Sequence, residues 1–332
     1  MITVLCGGVG GVKLVDGLAA VLRDPKDLTV IVNTADDWEH LGLAISPDVD
    51  TVLYTLAGLV SEERGWGIEG ETWAALEMLD RYGLPVWFRL GDRDLATHIA
   101  RTQWLRAGRR PTEVTASLAS ALGVVPRVLP MTDSRVATFV HTPEGRLPFQ
   151  DYFVRRGARD PVRRIELEGI EAAEPSPEVL EAVRDAAVIV VAPSNPLVSV
   201  GPILALPGMV AALAASRALR IAVTPLIGGA AVKGPTVEML RGAGMRVEPA
   251  AIAGLYAKFL DVFLLDGRDH ASVEAVRTAA APGRRLEVEV ADTLMADRAG
   301  RRRLARDILR IAAARGIEVA AVPAREDGIA PA

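Results

Sequence analysis

The sequence predicts an α/β fold: a doubly wound, mainly parallel sheet of Rossmann-like type with a helical and β-hairpin insertion. Short apolar runs, which are typical of buried strands, alternate with helical patterns at both ends of the chain. The first apolar run leads into a glycine turn and then a helix, and the second ends in polar residues. Because ligands bind at the carboxyl ends of parallel strands, these two strand ends are where a site is expected.

The first half of the chain begins with a βαβ unit. Residues 2–5 predict a strand, residues 12–22 a helix and residues 28–32 a second strand. Ser46-Pro47-Asp48 indicates a helix start, because proline fits a first helical turn and acids suit its positive end. The remaining patterns of this half predict helices at 46–60, 71–82, 93–107 and 112–122, and a β-hairpin over 137–153.

The second half returns to alternating strands and helices. Its apolar runs predict strands at 188–192, 221–224, 262–265 and 286–290. A last helix is expected at 299–315, followed by a tail, 316–332, that frays. We therefore predict a single large domain over residues 1–332, with an inserted subregion at about 60–160.

Composition excludes several classes of protein. Of 332 residues, 50% are hydrophobic and 24% are charged, which is globular, and the formal net charge of −4 gives no basic excess. We expect no nucleic-acid partner and no membrane contact, since the chain has neither a signal-peptide pattern nor an unbroken apolar span. The single cysteine, Cys6, excludes a disulfide framework and favours a cytoplasmic location.

The glycine turn is the first candidate binding element. Gly7, Gly8, Gly10 and Gly11 would let backbone N–H groups approach phosphate oxygens at a helix start, with Lys13 one turn further on. The alternative is a purely structural tight turn. Lys13 stands where a dinucleotide fingerprint has its third glycine, and no Walker sequence is present.

Acidic residues form the second candidate. Asp36 and Asp37 follow the second strand, and Asp48 and Asp50 open the next helix. Carboxylates facing a diphosphate suit Mg²⁺, which prefers oxygen ligands, whereas the alternative is ordinary helix capping.

Two further segments combine polar residues at helix starts. Residues 89–98 combine acids, arginines and a histidine, and residues 193–202 place hydroxyl and amide groups after a strand. Solvated cap charges and a structural loop are the respective alternatives. The four histidines lack metal-ligand spacing, and Cys6 is expected to be a core residue.

Taken together, these segments resemble the 2-phospho-L-lactate transferase family, which acts in the biosynthesis of the deazaflavin coenzyme F420. The resemblance extends from residue 1 to about 315, and each motif is unspecific alone, whereas nine in order are specific. The nine are GGVGG (7–11), NTADD (33–37), SPDVDT (46–51), LGDRDLATH (90–98), LPMTD (129–133), FQD (149–151), PSNP (193–196), SVGPI (199–203) and ADTLM (291–295).

The resemblance implies a transfer reaction. The donor would be a three-carbon acid joined through a diphosphate to guanosine, and the acceptor the deazaflavin Fo (7,8-didemethyl-8-hydroxy-5-deazariboflavin). The phosphoryl group of the acid would move to the terminal ribityl hydroxyl of Fo, with release of GMP. Members of the family need Mg²⁺, bind GDP and often form homodimers. The loop that ends in Lys13 is similar to that of bacterial members, which favours an enolpyruvyl over a lactyl donor.

The resemblance also implies roles for individual residues. Asp36, with Asp37, would hold the metal, and Asp50 would orient the ribityl hydroxyl and accept its proton. The inserted subregion at about 60–160 would bind the acceptor, and the implied deazaflavin-binding residues are Asp50, Arg89, Asp92, Arg93, Asp94 and His98. The implied nucleotide-binding residues are Gly7, Gly8, Gly10, Gly11, Lys13, Ser194, Asn195 and Ser199.

Two other functions stay open. One is a non-catalytic relative that binds a nucleotide sugar and regulates metabolism, against which the motifs at 90–98 and 291–295 speak. The other is a nicotinamide-dependent oxidoreductase, which the absent third glycine and the strand end at Asn33 disfavour. Binding of GDP against NAD would separate the oxidoreductase from the others.

Overall fold

A computed structural model describes residues 1–232 and 234–323 of the chain. The described strands are β1 (Ile2–Cys6), β2 (Leu28–Val32), β3 (Trp38–His40), β4 (Leu43–Ile45), β5 (Arg127–Pro130), β6 (Ala137–Thr142), β7 (Gly145–Pro148), β8 (Arg164–Glu168), β9 (Val188–Val191), β10 (Leu219–Val223), β11 (Leu226–Ile227), β12 (Ala230–Ala231), β13 (Val262–Asp266) and β14 (Glu287–Ala291).

Helices occupy most of the connections between these strands. The described α-helices are α1 (Gly8–Val21), α2 (Pro47–Leu56), α3 (Ala74–Arg81), α4 (Asp92–Arg106), α5 (Pro111–Ala121), α6 (Pro177–Arg184), α7 (Val200–Ala205), α8 (Met209–Ala215), α9 (Thr236–Gly242), α10 (Pro249–Tyr256), α11 (Val273–Arg277) and α12 (Arg298–Ala313).

The central sheet has seven strands in the order β14-β13-β10-β9-β1-β2-β5, and every neighbouring pair is parallel. From β1 the chain builds outward through β2 and β5, then crosses to β9 and builds toward the other edge. This order confirms the doubly wound, Rossmann-like prediction. The reversal between β1 and β9 opens a crevice at the carboxyl ends of these strands.

Both faces of the sheet are covered. Val4 of β1 belongs to the core beneath α1, α2, α5 and α12, whereas its neighbour Leu5 belongs to the core beneath α6, α7 and α8. Successive side chains of a strand point to opposite faces, so a strand between two helical layers has to be apolar throughout. That is why the apolar runs of the sequence located the central strands.

One strand of the central sheet interrupts the predicted insertion. The structure places β5 beside β2, inside the range 60–160 that we expected to lie outside the sheet. Its sequence, Arg-Val-Leu-Pro, is too short and too little apolar to stand out as a buried strand. The inserted material therefore comes in two parts, one before and one after β5.

The predicted hairpin is present as β6 and β7, but it is part of a larger unit. β8 pairs with the other side of β6, which makes a three-stranded antiparallel sheet. Residues 151–153, the end of the predicted hairpin, belong instead to a short helical turn that spans residues 151–155. Here the alternating pattern of the sequence continued past the point where strand pairing ends.

Two boundaries differ from the sequence prediction. α1 begins at Gly8 rather than at residue 12, so most of the glycine turn is the first turn of the helix. In the predicted tail, the backbone N–H of Arg23 donates to the Ala320 carbonyl and that of Val322 donates to the Val21 carbonyl. These bonds attach residues 320–322 to the end of α1, and residues 324–332 lie outside the described residues.

Candidate functional site

A buried asparagine lies at the carboxyl end of β2, beside the sheet reversal. Asn33 follows β2 and has no solvent exposure. Its Nδ2 donates to Asp36 Oδ2 at 3.1 Å and to Asp48 Oδ2 at 3.0 Å, while its Oδ1 accepts from the backbone N–H of Ala35. One amide group therefore holds two carboxylates from different parts of the chain.

The glycine segment contacts this group directly. The backbone N–H of Gly8, which has a φ of +64°, donates to Asp48 Oδ1 at 2.7 Å. The backbone N–H of Gly7 donates to Ser194 Oγ at 3.3 Å. The predicted nucleotide-binding residues Gly7, Gly8 and Ser194 are thus brought together, and two loop amides already have protein partners.

Close packing explains why Gly10 and Gly11 have no side chain. A Cβ at Gly10 would lie 2.7 Å from the carbonyl oxygen of Pro193, and one at Gly11 would overlap Ser194 Oγ. These positions let α1 approach the loop after β9. Lys13, one turn on, donates from Nζ to the carbonyl of Met295 at 3.2 Å.

The other two predicted nucleotide residues lie on the same loop. Ser199 is buried beside the glycine segment, since a Cβ at Gly7 would lie 3.0 Å from its own Cβ. Asn195 shapes the loop: its Oδ1 accepts from the backbone N–H groups of Leu197 and Val198. Ser199 therefore faces the crevice at the sheet's reversal point, while the Asn195 oxygen is engaged locally.

Three carboxylates of the crevice repel one another. Burial raises the pKa of Asp36 well above its usual range, and the adjacent Asp48 raises it further. Burial likewise raises the pKa of Asp37 and that of Asp48. Asp36 Oδ1 and Asp37 Oδ1 are buried without a hydrogen-bond partner. Oxygen ligands with unused lone pairs fit a hard divalent cation such as Mg²⁺.

A second buried group adjoins the first. Arg101, which is 3% exposed, donates from Nη1 to Asp50 Oδ2 at 3.0 Å and from Nη2 to Asp50 Oδ1. Burial alone would lower the pKa of Arg101, but Asp50 holds it above its usual value. This two-point contact fixes the plane of the Asp50 carboxylate.

The same arginine orients a histidine. Arg101 Nη1 lies 3.1 Å from His98 Nδ1, and because a guanidinium only donates, Nδ1 is the acceptor. The proton of the neutral ring is then on Nε2, which lies 3.2 Å from Asp94 Oδ1. Asp94 also accepts from the Tyr54 hydroxyl at 2.7 Å. Asp50, Asp94 and His98, all predicted site residues, are therefore in one cluster.

This second cluster is a poor metal site despite its composition. Asp50, Asp94 and His98 offer ligand atoms within 4.8 Å of one another, the only such set in the described parts of the chain. The His98 ring, however, faces Asp50 with Nδ1 and Asp94 with Nε2. One nitrogen cannot serve both sides, and the Arg101 charge on Asp50 would repel a cation.

The remaining predicted acceptor residues lie at the outer edge of the cluster. Asp92 accepts from the backbone N–H groups of Ala74 and Ala75 and so holds the start of α3. Arg93 donates to the Glu69 carbonyl, and the Arg89 guanidinium lies 4.3 Å from the ring centre of Trp73. The structure therefore places these three beside residues 69–75, apart from the buried Asp50 group.

A half-exposed aromatic surface adjoins Arg89. The rings of Trp38 and His40 stack at 4.8 Å, and Trp87 and Phe88 contact Trp38 at 5.1 Å each. Trp38 follows Asp37 directly, so this surface begins where the carboxylates end. Its rings offer an apolar face suited to a planar ligand.

Residues 2–309 match the family described as 2-phospho-L-lactate transferase CofD. The chain belongs to the CofD family. It is 40% identical over 292 residues to the 2-phospho-L-lactate transferase of Methanosarcina mazei, which covers 88% of this chain and 94% of the relative. It is 44% identical over 284 residues to the phosphoenolpyruvate transferase of Streptomyces griseus, covering 84% and 89%.

A solved structure shares the fold of this CofD family member. A member of the UPF0052 family from Bacillus halodurans superposes with a TM-score of 0.59 at 19% identity, covering 93% of this chain and 99% of that one. At this identity the likeness extends to the fold alone. Among the described residues, no helix is both long and apolar enough to cross a membrane.

Two residues of this CofD site were not assigned a role from the sequence. Asn33 was considered only as a strand end, although a polar residue at the carboxyl end of a central strand is itself a signal. Arg101 was passed over, yet Asp94, His98 and Arg101 are spaced four and three residues apart on α4. That spacing puts them on one helix face, where the sequence could have grouped them.

Proposed function

We propose that this protein transfers a phosphoenolpyruvyl group from a guanosine-diphosphate-activated donor to the ribityl hydroxyl of Fo, releasing GMP. The observation that supports it best is the continuous arrangement of a glycine segment, a carboxylate cluster and an arginine-held aspartate at the sheet reversal. Phosphoryl transfer needs positioning and charge compensation more than covalent chemistry, and this arrangement offers both. Family membership supports the transferase class.

The residues divide between the two substrates. The start of α1, with Ser194 and Ser199, would bind the nucleotide part, because N-terminal helix amides favour phosphate. The rings of Trp38 and Trp87 would bind the planar deazaflavin, with Arg89 at its edge. This division puts the ribityl chain between them, near Asp50.

Asp50 would act on the attacking hydroxyl. Each of its oxygens accepts one bond from Arg101 and has a further lone pair. Asp50 accepts a hydrogen bond from the ribityl hydroxyl and takes its proton as the new oxygen–phosphorus bond forms. The bond from phosphorus to the GMP oxygen breaks, and that oxygen leaves with its electron pair.

The proposal includes Mg²⁺ bound at the carboxylates of the crevice, where Asp36 Oδ1 is buried without a hydrogen-bond partner. When bound, Mg²⁺ would neutralise part of the diphosphate charge. From the resemblance alone we also propose a cytoplasmic homodimer, which light scattering of the purified protein tests. The enolpyruvyl donor is preferred because of the bacterial type of the loop before Lys13.

A competition assay tests the reaction. The protein is incubated with Fo, Mg²⁺ and equal amounts of the enolpyruvyl and lactyl donors, and the deazaflavin product is weighed by mass spectrometry. A phosphoenolpyruvyl adduct of Fo is expected. A phospholactyl adduct, heavier by two hydrogens, would keep the transferase but overturn the donor. Unmodified Fo with tight GDP binding would favour the regulatory alternative.

A further inference from the structure

Asp48 occupies the place where the diphosphate was expected. Its Oδ1 accepts from the backbone N–H of Gly8 at 2.7 Å, at the start of α1, and its Oδ2 accepts from Asn33 at 3.0 Å. A carboxylate there competes with phosphate for the same amide and repels it. A diphosphate can lie beside Asp48 only if something positive lies between them.

The glycine segment is built around this carboxylate. A Cβ at Gly7 would lie 2.5 Å from Asp48 Oδ2 and 3.0 Å from the Asn33 Cβ. Such distances are far below van der Waals contact, so glycine at this position makes room for Asp48 rather than for a ligand alone. The position of Asp48 is thus fixed from both sides, by a backbone amide and by Asn33.

Asp36 has a carboxylate oxygen, Oδ1, that can coordinate a cation. It is 6% exposed, its Oδ2 shares the Asn33 amide with Asp48, and its Oδ1 is buried without a partner. A buried carboxylate oxygen with no donor is neutralised either by a proton or by a cation. Asp36 Oδ1 therefore points to a ligand independently of the acidic composition.

Asp37 is held differently. Its Oδ1, like that of Asp36, is buried without a partner, and its Oδ2 accepts from the Ser46 hydroxyl at 2.7 Å. Burial raises the pKa of Asp37, whereas the Ser46 hydrogen bond and the nearby Arg101 charge lower it. That positive charge disfavours a cation at Asp37. Asp37 thus lies toward the Arg101 group, whereas Asp36 and Asp48 share one donor. The two neighbouring aspartates of the sequence belong to different parts of the site.

We propose that Asp36 and Asp48, spaced by their shared hydrogen bonds to Asn33, are the carboxylate ligands of the divalent cation, and that Asp37 is not a ligand. The assignment rests on the proposed function, which supplies the diphosphate that would share the cation. It replaces Asp36 and Asp37 as the predicted ligand pair. Asn33 and Gly7 become residues that position the two ligands. Asp36 and Asp48 would hold the cation, and the cation would offset part of the diphosphate charge.

Cation binding to the full chain tests this assignment directly. Mn²⁺ is titrated with and without GDP, and free Mn²⁺ is followed by its electron paramagnetic resonance signal. We expect Asp48→Asn and Asp36→Asn to weaken Mn²⁺ binding by about tenfold or more, since each removes a charged oxygen ligand. Asp37→Asn and the surface variant Asp27→Asn should stay close to the wild type.

Gly7→Ala is the second, independent variant. It keeps every carboxylate but displaces Asp48, and we expect Mn²⁺ affinity to fall by roughly tenfold, as when a supporting residue of a metal site is lost. Thermal unfolding in EDTA checks folding. A single cooperative unfolding transition of Asp48→Asn and of Gly7→Ala there shows that both variants are folded.

The outcomes separate the two proposals. Wild-type Mn²⁺ affinity in Asp48→Asn, equal losses in Asp37→Asn and Asp48→Asn, or no Mn²⁺ binding by the wild type would each overturn the assignment. If Asp48→Asn fails to fold, unchanged Mn²⁺ affinity in Gly7→Ala overturns it equally. If Fo stays unmodified in the product assay while the Mn²⁺ pattern is as expected, the cation site stands and the transferase proposal fails.

Discussion

Arg101 of α4 donates hydrogen bonds from Nη1 and Nη2 to the two carboxylate oxygens of Asp50 in α2, although the two residues are 51 positions apart in the chain. Both side chains are almost fully buried. We expect Arg101→Leu to lower the free energy of unfolding by about 3–5 kcal/mol, because it leaves Asp50 buried and unpaired. It should also lower kcat at least tenfold, since the attacking hydroxyl loses its oriented acceptor.

The variant Arg101→Lys distinguishes the effect of the two-point contact with Asp50 from the effect of a positive charge beside it. Arg101→Lys keeps the charge but loses the two-point contact, so kcat should stay well below wild type while stability largely recovers. Arg106→Leu, at an exposed position of the same helix, is the matched control. It loses only an exposed hydrogen bond to the Gly42 carbonyl, so it should cost about 1 kcal/mol or less and leave kcat unchanged. Full activity in Arg101→Lys would show that the charge alone suffices. Urea unfolding and steady-state kinetics measure both.

Asn33→Leu should destabilise the crevice. The change removes the donor shared by Asp36 and Asp48 and the acceptor of the Ala35 N–H. We expect a loss of about 3 kcal/mol in EDTA, since bonds to charged groups contribute about 1.5–3 kcal/mol each. Excess Mg²⁺ should recover part of the loss if a cation bridges the two carboxylates. An unchanged urea midpoint would show that the hydrogen bonds of Asn33 to Asp36 and Asp48 do not stabilise the fold.

Gly17→Ala tests the packing of the first helix against the last. A Cβ at Gly17 would overlap the backbone of Arg301 in α12. We expect a loss of about 1–3 kcal/mol from overpacking, although alanine is the better helix former. Gly254→Ala in α10 is the matched control, because no atom lies within 4 Å of its added Cβ. The control should gain up to about 1 kcal/mol; both are read from thermal unfolding.

Acid should loosen the start of α3. Hydrogen bonds from Thr72 and from the backbone N–H of Ala75 lower the pKa of Asp92 below its ordinary value. A lowered folded-state pKa means that the stabilisation is present above the unfolded pKa of about 3.9 and is lost as the pH falls through the folded-state value. The amide signals of Ala74 and Ala75 should follow this titration by NMR. Asp92→Asn should abolish it, and an Asp92 pKa at or above the ordinary value would contradict the cap.

Trp87→Ala should weaken the binding of Fo. Trp87 is half-buried in the aromatic surface beside Arg89, and loss of one stacking ring costs about 1–3 kcal/mol for comparable flat ligands. We expect the Kd for Fo, measured by deazaflavin fluorescence, to rise by roughly tenfold while the Kd for GDP is unchanged. Trp66→Ala, at an exposed tryptophan outside that surface, is the control. Equal Fo affinity in both variants would remove this surface from the acceptor site.

The sequence predicts which residues lie at the ends of strands and the starts of helices. It does not predict which residues from distant segments pack against them. Asp36 and Asp50 follow strand and helix boundaries that apolar periodicity reveals. The partner of Asp50 is on α4, where the spacing groups Arg101 with Asp94 and His98 but does not say that this helix face meets Asp50. Likewise, the glycines suggested phosphate binding, whereas Gly10 and Gly11 are required by the approach of α1 to Pro193 and Ser194. β5 was missed because a four-residue edge strand has too little apolar sequence to be recognised.

The contact between α1 and α12 has a consequence for the order of folding. Arg301 pairs with Asp16, which lies 285 residues earlier, and the backbone after residue 319 returns to the end of α1. During synthesis the first βαβ unit therefore leaves the ribosome with the α12-facing side of α1 bare, and that side stays bare until α12 has been made. Contacts of such long separation close late and slowly. The nascent chain thus has a prolonged period in which an apolar helix face needs protection, and truncation before α12 should leave it permanently exposed to chaperones and proteases.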